Sequence, residues 1–210
     1  MDEEKKIGEG KKKVNELIYD DVREKIRNGD ILLYKGRGFV SWAIKFFTRS
    51  EYSHAGIAVW WYDRLMVMEA LSKGVIVNPL RRSVGRYKGS VEWWTLKKDF
   101  DINNDDRKKM IIFAQEELGK DFAFWGLFLF ALVISFVIPL GKKDFFTREK
   151  RLFCSLYVAE IYNKADRDLR KGLPDRFTSP ADISKSSLLE CGGTLDRKTL
   201  KPYLGEKPTA

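Results

Sequence analysis

Apolar positions along this chain fall into two kinds of pattern, helical spacing and short continuous or alternating runs, and their order predicts an α+β fold. Val14, Leu17, Ile18, Val22 and Ile26 recur at helical spacing, which predicts an amphipathic helix over about 12–28, stopped by Asn28-Gly29. The run ILLY (31–34) reads as a buried strand, and Phe39, Val40, Ala43, Ile44 and Phe47 again suit a helix. The middle of the chain reads as sheet. HAGIAVWW (54–61), LMVMEA (65–70), GVIVNPL (74–80) and SVEWWTL (90–96) are punctuated by turn-forming residues, so antiparallel strands are expected. Asn104 can cap a helix over about 105–118 whose Met110, Ile111, Ala114 and Leu118 face inward before Gly119 stops it. Residues 153–164 form another apolar-faced helix, and from Asp166 onward the chain is polar and turn-rich.

One segment departs from the globular pattern. FAFWGLFLFALVISFVIPL (122–140) carries no charge, and Lys142 and Lys143 follow it, so its length alone would suffice to span a bilayer. Composition limits what surrounds it. Apolar residues make up 44% and charged residues 33% of the 210, which excludes both wholesale disorder and a polytopic membrane protein. A net charge of +9 favours anionic partners, phospholipid headgroups or nucleic acid. Nucleic acid ranks last, because Trp60, Trp61, Trp93 and Trp94 sit in strand patterns that favour core packing over base stacking. Two cysteines exclude a disulfide scaffold, and a single histidine argues against a His-rich zinc site, so neither metal nor cofactor is expected. Residues 1–13 read as a solvated mixed-charge tail with no signal-peptide apolar core, and cytoplasmic residence is the expectation.

Three residues carry the candidate chemistry. His54 opens a predicted strand. Glu69 lies inside the otherwise apolar VMEAL, where a buried carboxylate needs a partner, and an imidazole on a neighbouring strand would supply one. Cys154 falls in the first turn of a predicted helix, where unpaired amides and the helix dipole favour a thiolate. Each has a plainer reading: a structural histidine, a carboxylate facing water on an edge strand, and a small buried hydrophobe. Cys191 lies in a turn-like stretch with no helix behind it and reads as incidental. Taken together, thiol, imidazole and carboxylate form the generalised triad of acyl transfer.

In this order the motifs resemble the circularly permuted NlpC-type branch of the papain-like superfamily. GDILLYKG resembles the opening Gly-Asp strand, YSHAGIAV the histidine motif and VMEA the strand bearing the third polar residue. LFCSLYVAEIY resembles the nucleophile motif, and TSPADISKSSLLE the Pro-Asp segment after the nucleophile helix. The resemblance implies a papain-like fold with a central antiparallel sheet and the nucleophile at a helix N-terminus. It also implies Cys154 as nucleophile, His54 as base and Glu69 as orienting residue. One position departs. GKDFAFWGL aligns with a family stretch whose tyrosine helps form the oxyanion site, and Phe122 stands there instead. Losing one such donor typically costs about 10²- to 10³-fold in rate.

The triad constrains the apolar segment, which lies between Glu69 and Cys154. A single crossing would leave His54 and Glu69 on one side of the bilayer and Cys154 on the other. The segment is therefore expected to lie in a membrane interface or against another subunit. The flanking Lys120, Lys142 and Lys143 favour membrane contact. The related lecithin:retinol acyltransferase-like proteins use a similar His–Cys site on lipid acyl chains, so by resemblance the substrate is a peptide or a lipid acyl group. The expected organisation is a charged tail to residue 13, a catalytic domain over 14–190 with 122–140 inserted, and a polar tail over 191–210. The expected activity is acyl hydrolysis or transfer through a Cys154 thioester. The competing class is a membrane-associated interaction protein that keeps the fold with a weakened site.

Overall fold

The computed structural model describes residues 16–37, 50–71, 74–120, 153–175 and 178–196. Its strands are β1 (Glu16–Ile18), β2 (Ile31–Gly36), β3 (His54–Trp61), β4 (Arg64–Leu71), β5 (Gly74–Pro79), β6 (Gly89–Leu96) and β7 (Leu189–Asp196). They form one seven-stranded sheet in the order β1-β7-β6-β2-β3-β4-β5. All pairings are antiparallel except β1 with β7, which is parallel. Helices α1 (Tyr19–Val22), α2 (Leu80–Arg86), α3 (Asn104–Glu116), α4 (Phe153–Asn163) and α5 (Pro180–Ser184), with 3₁₀ turns over Arg23–Lys25 and Lys98–Phe100, complete the described elements.

Helices cover both faces of the sheet, and this explains why its strands read as unbroken apolar runs. On one face Ile31, Leu33, Ala55, Ile57, Val59, Met68 and Ala70 pack with Met110 and Ala114 of α3 and with Tyr157, Val158 and Ile161 of α4. On the other, Leu32, Tyr34, Ala58, Leu65, Val67, Val91 and Trp93 pack with Tyr19 and Val22 of α1 and Leu80 and Val84 of α2. A strand buried on both faces has no polar register to show. Of the four tryptophans in the strand patterns, Trp93 is buried, Trp60 and Trp94 pack partly against the two cores, and Trp61 is exposed.

The opening Gly-Asp pair has a structural reason. Gly29 turns with φ of +87°, and a Cβ there would meet the Met110 methyl at 2.9 Å. Asp30 is fully buried, accepting hydrogen bonds from the Arg27 amide (3.0 Å), Trp93 Nε1 (2.8 Å) and Thr95 Oγ1 (3.0 Å). Arg107 faces it at 3.5 Å. Burial pushes the Asp30 carboxyl up, and these donors and the Arg107 charge pull against that rise.

Several expectations need correction. The single helix expected over 12–28 is replaced, within the described residues, by β1, the one-turn α1 and a 3₁₀ turn over Arg23–Lys25. Of the residues at that spacing Val22 and Ile26 are buried and Ile18 is exposed, and the backbone of 16–18 is claimed by parallel pairing with Thr194–Asp196. The cap of α3 is Asn103 rather than Asn104, its side chain accepting from the Asp106 amide. Cys191 lies not in a turn but in β7, opposite Trp94, and β7 carries the sheet through Asp196, past the expected domain boundary at 190. The expected helix near 39–47, the apolar segment 122–140 with Phe122, and residues 1–13 and 197–210 lie outside the described residues. Among the described residues no helix is long and apolar enough to cross a membrane.

Candidate active site

His54 is the first residue of β3 and Glu69 the sixth of β4, its neighbour in the sheet. The pair meets with His54 Nε2 at 2.8 Å from Glu69 Oε2. Their side chains are only 16% and 7% exposed, so the contact is made largely out of water. Gly56 makes room for it. A Cβ at that position would come within 2.8 Å of Val67 Cγ2, 3.1 Å of the Met68 carbonyl and 3.4 Å of Glu69 Cβ. Any larger residue would thus crowd the strand that carries the carboxylate.

Cys154 is the second residue of α4 and is buried. At that position the backbone N–H has no intrahelical partner and lies at the positive end of the helix dipole. The thiol sits within hydrogen-bonding and electrostatic reach of the His54 ring. Because Nε2 is engaged with Glu69, Nδ1 is the ring nitrogen left for Cys154. Burial by itself would lower the histidine's pKa. The Cys154 charge and hydrogen bond, and then Glu69, outweigh burial and push it up to about 10. The arrangement favours the imidazolium form of His54 at neutral pH.

The walls of the site come from β2, β5 and α2. The Tyr34 ring lies 5.2 Å from the imidazole, and its hydroxyl is hydrogen-bonded to Ser83 Oγ at 3.0 Å. Burial and the nearby Glu69 charge hold this phenol well above its ordinary range, so it stays neutral. Asn78 Nδ2 donates to the other Glu69 oxygen, Oε1, at 3.3 Å. Neither Tyr34 nor Asn78 was singled out in the sequence. Tyr34 fell within the ILLY run read as a buried strand, and Asn78 within the GVIVNPL run read as a strand.

Three side-chain hydroxyls fix α4 in place. Ser155 Oγ donates to the Thr178 carbonyl (2.5 Å), Tyr157 to the Ala114 carbonyl (2.9 Å) and Tyr162 to the Gly29 carbonyl (2.9 Å). The Pro-Asp segment earns its place here too. Ser179 and Asp182 form a reciprocal capping box with Pro180 in the first turn of α5, immediately after Thr178. The structure therefore brings all three candidates, Cys154, His54 and Glu69, to one place. Cys191 stands apart, with burial and the Glu92 charge pushing its thiol up to about 11. Among the described residues no group of three or more His, Cys, Asp or Glu is arranged to hold a metal ion.

Residues 25–129, half of the chain, match the model of the permuted papain-like amidase enzymes of the YaeF/YiiX family. The match takes in His54 and Glu69 and ends before Cys154. The fold is similar to that of a solved structure, the metalloprotein YiiX from Escherichia coli O157:H7, with a TM-score of 0.58 and 20% identity. That alignment covers 79% of this chain and 96% of the other. No curated protein sequence matches the chain.

Proposed function

The chain belongs to the permuted papain-like amidase family, and from that premise we propose that it is a thiol-dependent amide hydrolase in which Cys154, His54 and Glu69 form the catalytic triad. The observation that carries this reading is the His54 ring held between the Glu69 carboxylate at 2.8 Å and the Cys154 thiol at a helix N-terminus. The Cys154 thiolate attacks the carbonyl carbon of the substrate, and the carbonyl π electrons move onto oxygen. The free N–H at the start of α4 donates to that oxyanion. His54, protonated at Nδ1, passes its proton to the leaving amine as the C–N bond breaks, and a thioester remains on Cys154. Water then gives a proton to His54 and attacks the thioester, releasing the acid and restoring the thiolate–imidazolium pair. Glu69 aims the ring by accepting from Nε2–H.

The substrate is an acyl group on nitrogen or oxygen, with peptide amides the first candidates and lipid acyl esters or amides the second. Transfer to an acceptor other than water would use the same thioester. A panel of peptide amides and lipid acyl substrates, read for release of free acid, separates these, with an acyl-type thiol probe reporting on the nucleophile. Labelling confined to Cys154 and abolished in Cys154→Ser, together with turnover of one substrate class, is the expected result. A folded wild-type protein that takes no label and turns over nothing would refute the enzymatic reading and leave an interaction protein on the same fold.

A further inference from the structure

We propose that Asn78 is a positioning residue for this site: its side-chain amide holds one oxygen of Glu69 so that the other is aimed at His54 Nε2. The proposal rests on the triad reading above and adds a fourth member from a fourth element, the edge strand β5. Glu69 lies opposite Ile76 in the β4–β5 register, so Asn78, two residues on, lies on the same sheet face and diagonal to the carboxylate. The contact is 3.3 Å from Nδ2 to Oε1, while Oε2 is 2.8 Å from His54 Nε2. An ionised carboxylate only accepts, so Asn78 must donate.

The geometry explains why an amide stands there. Glu69 is buried, and its side chain has three rotatable bonds with which to turn away from the histidine. Fixing one oxygen from β5 leaves the carboxylate a single orientation in which the second oxygen reaches the ring. Aspartate in the same place would set a second negative charge against Glu69, and one of the two carboxyls would be driven to keep a proton. A lysine would compete with His54 for the carboxylate. Asparagine supplies a donor without a charge. Pro79 follows at once, and α2 begins at Leu80, so the strand ends with its last free side chain aimed into the site.

Among the described residues the groups facing the His54–Glu69 pair are Cys154 from α4, Tyr34 from β2 and Asn78 from β5, and Tyr34 is held neutral. The Nε2 proton of the single histidine is therefore a clean reporter. Wild type, Asn78→Ala, Asn78→Asp and Asn78→Gln are compared for exchange of that proton with water by NMR and for the rate of Cys154 acylation by an activated amide. A hydrogen bond to a charged acceptor is worth roughly tenfold or more, so Asn78→Ala should exchange about tenfold faster and acylate about tenfold more slowly. Asn78→Asp should do worse than alanine at neutral pH, and Asn78→Gln, which keeps the donor, should recover most of the loss. Wild-type values in folded Ala and Asp variants would overturn the proposal while leaving the triad standing. If the alanine variant does not fold, the Asp and Gln pair still decides it, since equal behaviour of those two sinks the donor argument. A wild-type protein with no protected Nε2 proton and no acylation would instead sink the triad reading itself.

Discussion

The pairing of His54 with Cys154 can be tested on one resonance, because the chain has a single histidine. The perturbation is Cys154→Ala, which removes the thiol and keeps a good helix former in the first turn of α4. With the histidine pushed up to about 10, about 99% of the rings would be imidazolium at pH 8, against about 3% for an unperturbed histidine near 6.5. Of the influences raising it, the Cys154 charge and hydrogen bond stand above the contribution of Glu69, while burial opposes them all. Removing the thiol leaves burial set against Glu69 alone. The titration midpoint, followed by the ring proton and nitrogen shifts, should then fall by roughly two units or more. Glu69→Gln should lower it by less. The order wild type, Glu69→Gln, Cys154→Ala from highest to lowest is thus fixed by which partner contributes more. If Cys154→Ala titrates within about half a unit of wild type, Glu69 alone holds the imidazolium. The thiol would then be a bystander and the ion-pair mechanism would fail.

Tyr162→Phe leaves the buried Gly29 carbonyl without its donor and should cost about 1–3 kcal/mol in denaturant unfolding, with the slope unchanged. An unchanged midpoint would show that the bond contributes nothing net. Asp101 is pulled down to about 2: burial would raise it, but its hydrogen bonds with Arg27 and Arg107 prevail. Its stabilising contribution is therefore complete above the unfolded value near 3.9 and is lost as pH falls through about 2. Asp101→Asn should flatten the acid side of the stability profile over that window, modestly because the side chain is 34% exposed. Cys191, with its thiol near 11, is about one part in ten thousand thiolate at pH 7, so brief alkylation followed by peptide mapping should mark Cys154 first. Equal labelling would contradict the assignment of the reactive thiol.

How much of this was legible depended on whether the cause was local. The strands β3, β4, β5 and β6 were readable from apolar runs bounded by turn residues, because those features act over a few positions. The start of α4, and with it the setting of Cys154, was readable for the same reason. The helix expected near the N-terminus failed because its backbone pairs with β7, at the other end of the chain, and periodicity carries no trace of a partner that distant. Cys191 was misplaced for a similar reason, since its strand pairs there with Trp94 of β6, far back in the chain. Within the site, His54 and Glu69 stood out as polar residues in apolar surroundings. Asn78 did not, since an asparagine before proline looks like a strand ending, and only the diagonal reach across β4 and β5 shows its use.

The chain order of the site, the strands of His54 and Glu69 first and the helix of Cys154 afterwards, asks for a device that local sequence does not provide. Nothing near Cys154 in the chain can set its distance from His54. The position of α4 is set instead by hydroxyls along its length that bond main-chain carbonyls from three separate segments. Ser155 reaches the Thr178 carbonyl, Tyr157 that of Ala114 and Tyr162 that of Gly29, the last across 133 residues of sequence. All three bonds are buried. A slide of α4 along its axis, or a rotation about it, would strand at least one of those carbonyls away from water, at a cost of about 1–3 kcal/mol each. The helix is thus held in one register on the sheet whatever the connection that leads into it. That independence lets Cys154 follow His54 and Glu69 in the chain, because the constraint on the thiol comes from tertiary hydrogen bonds and packing rather than from continuity of the backbone.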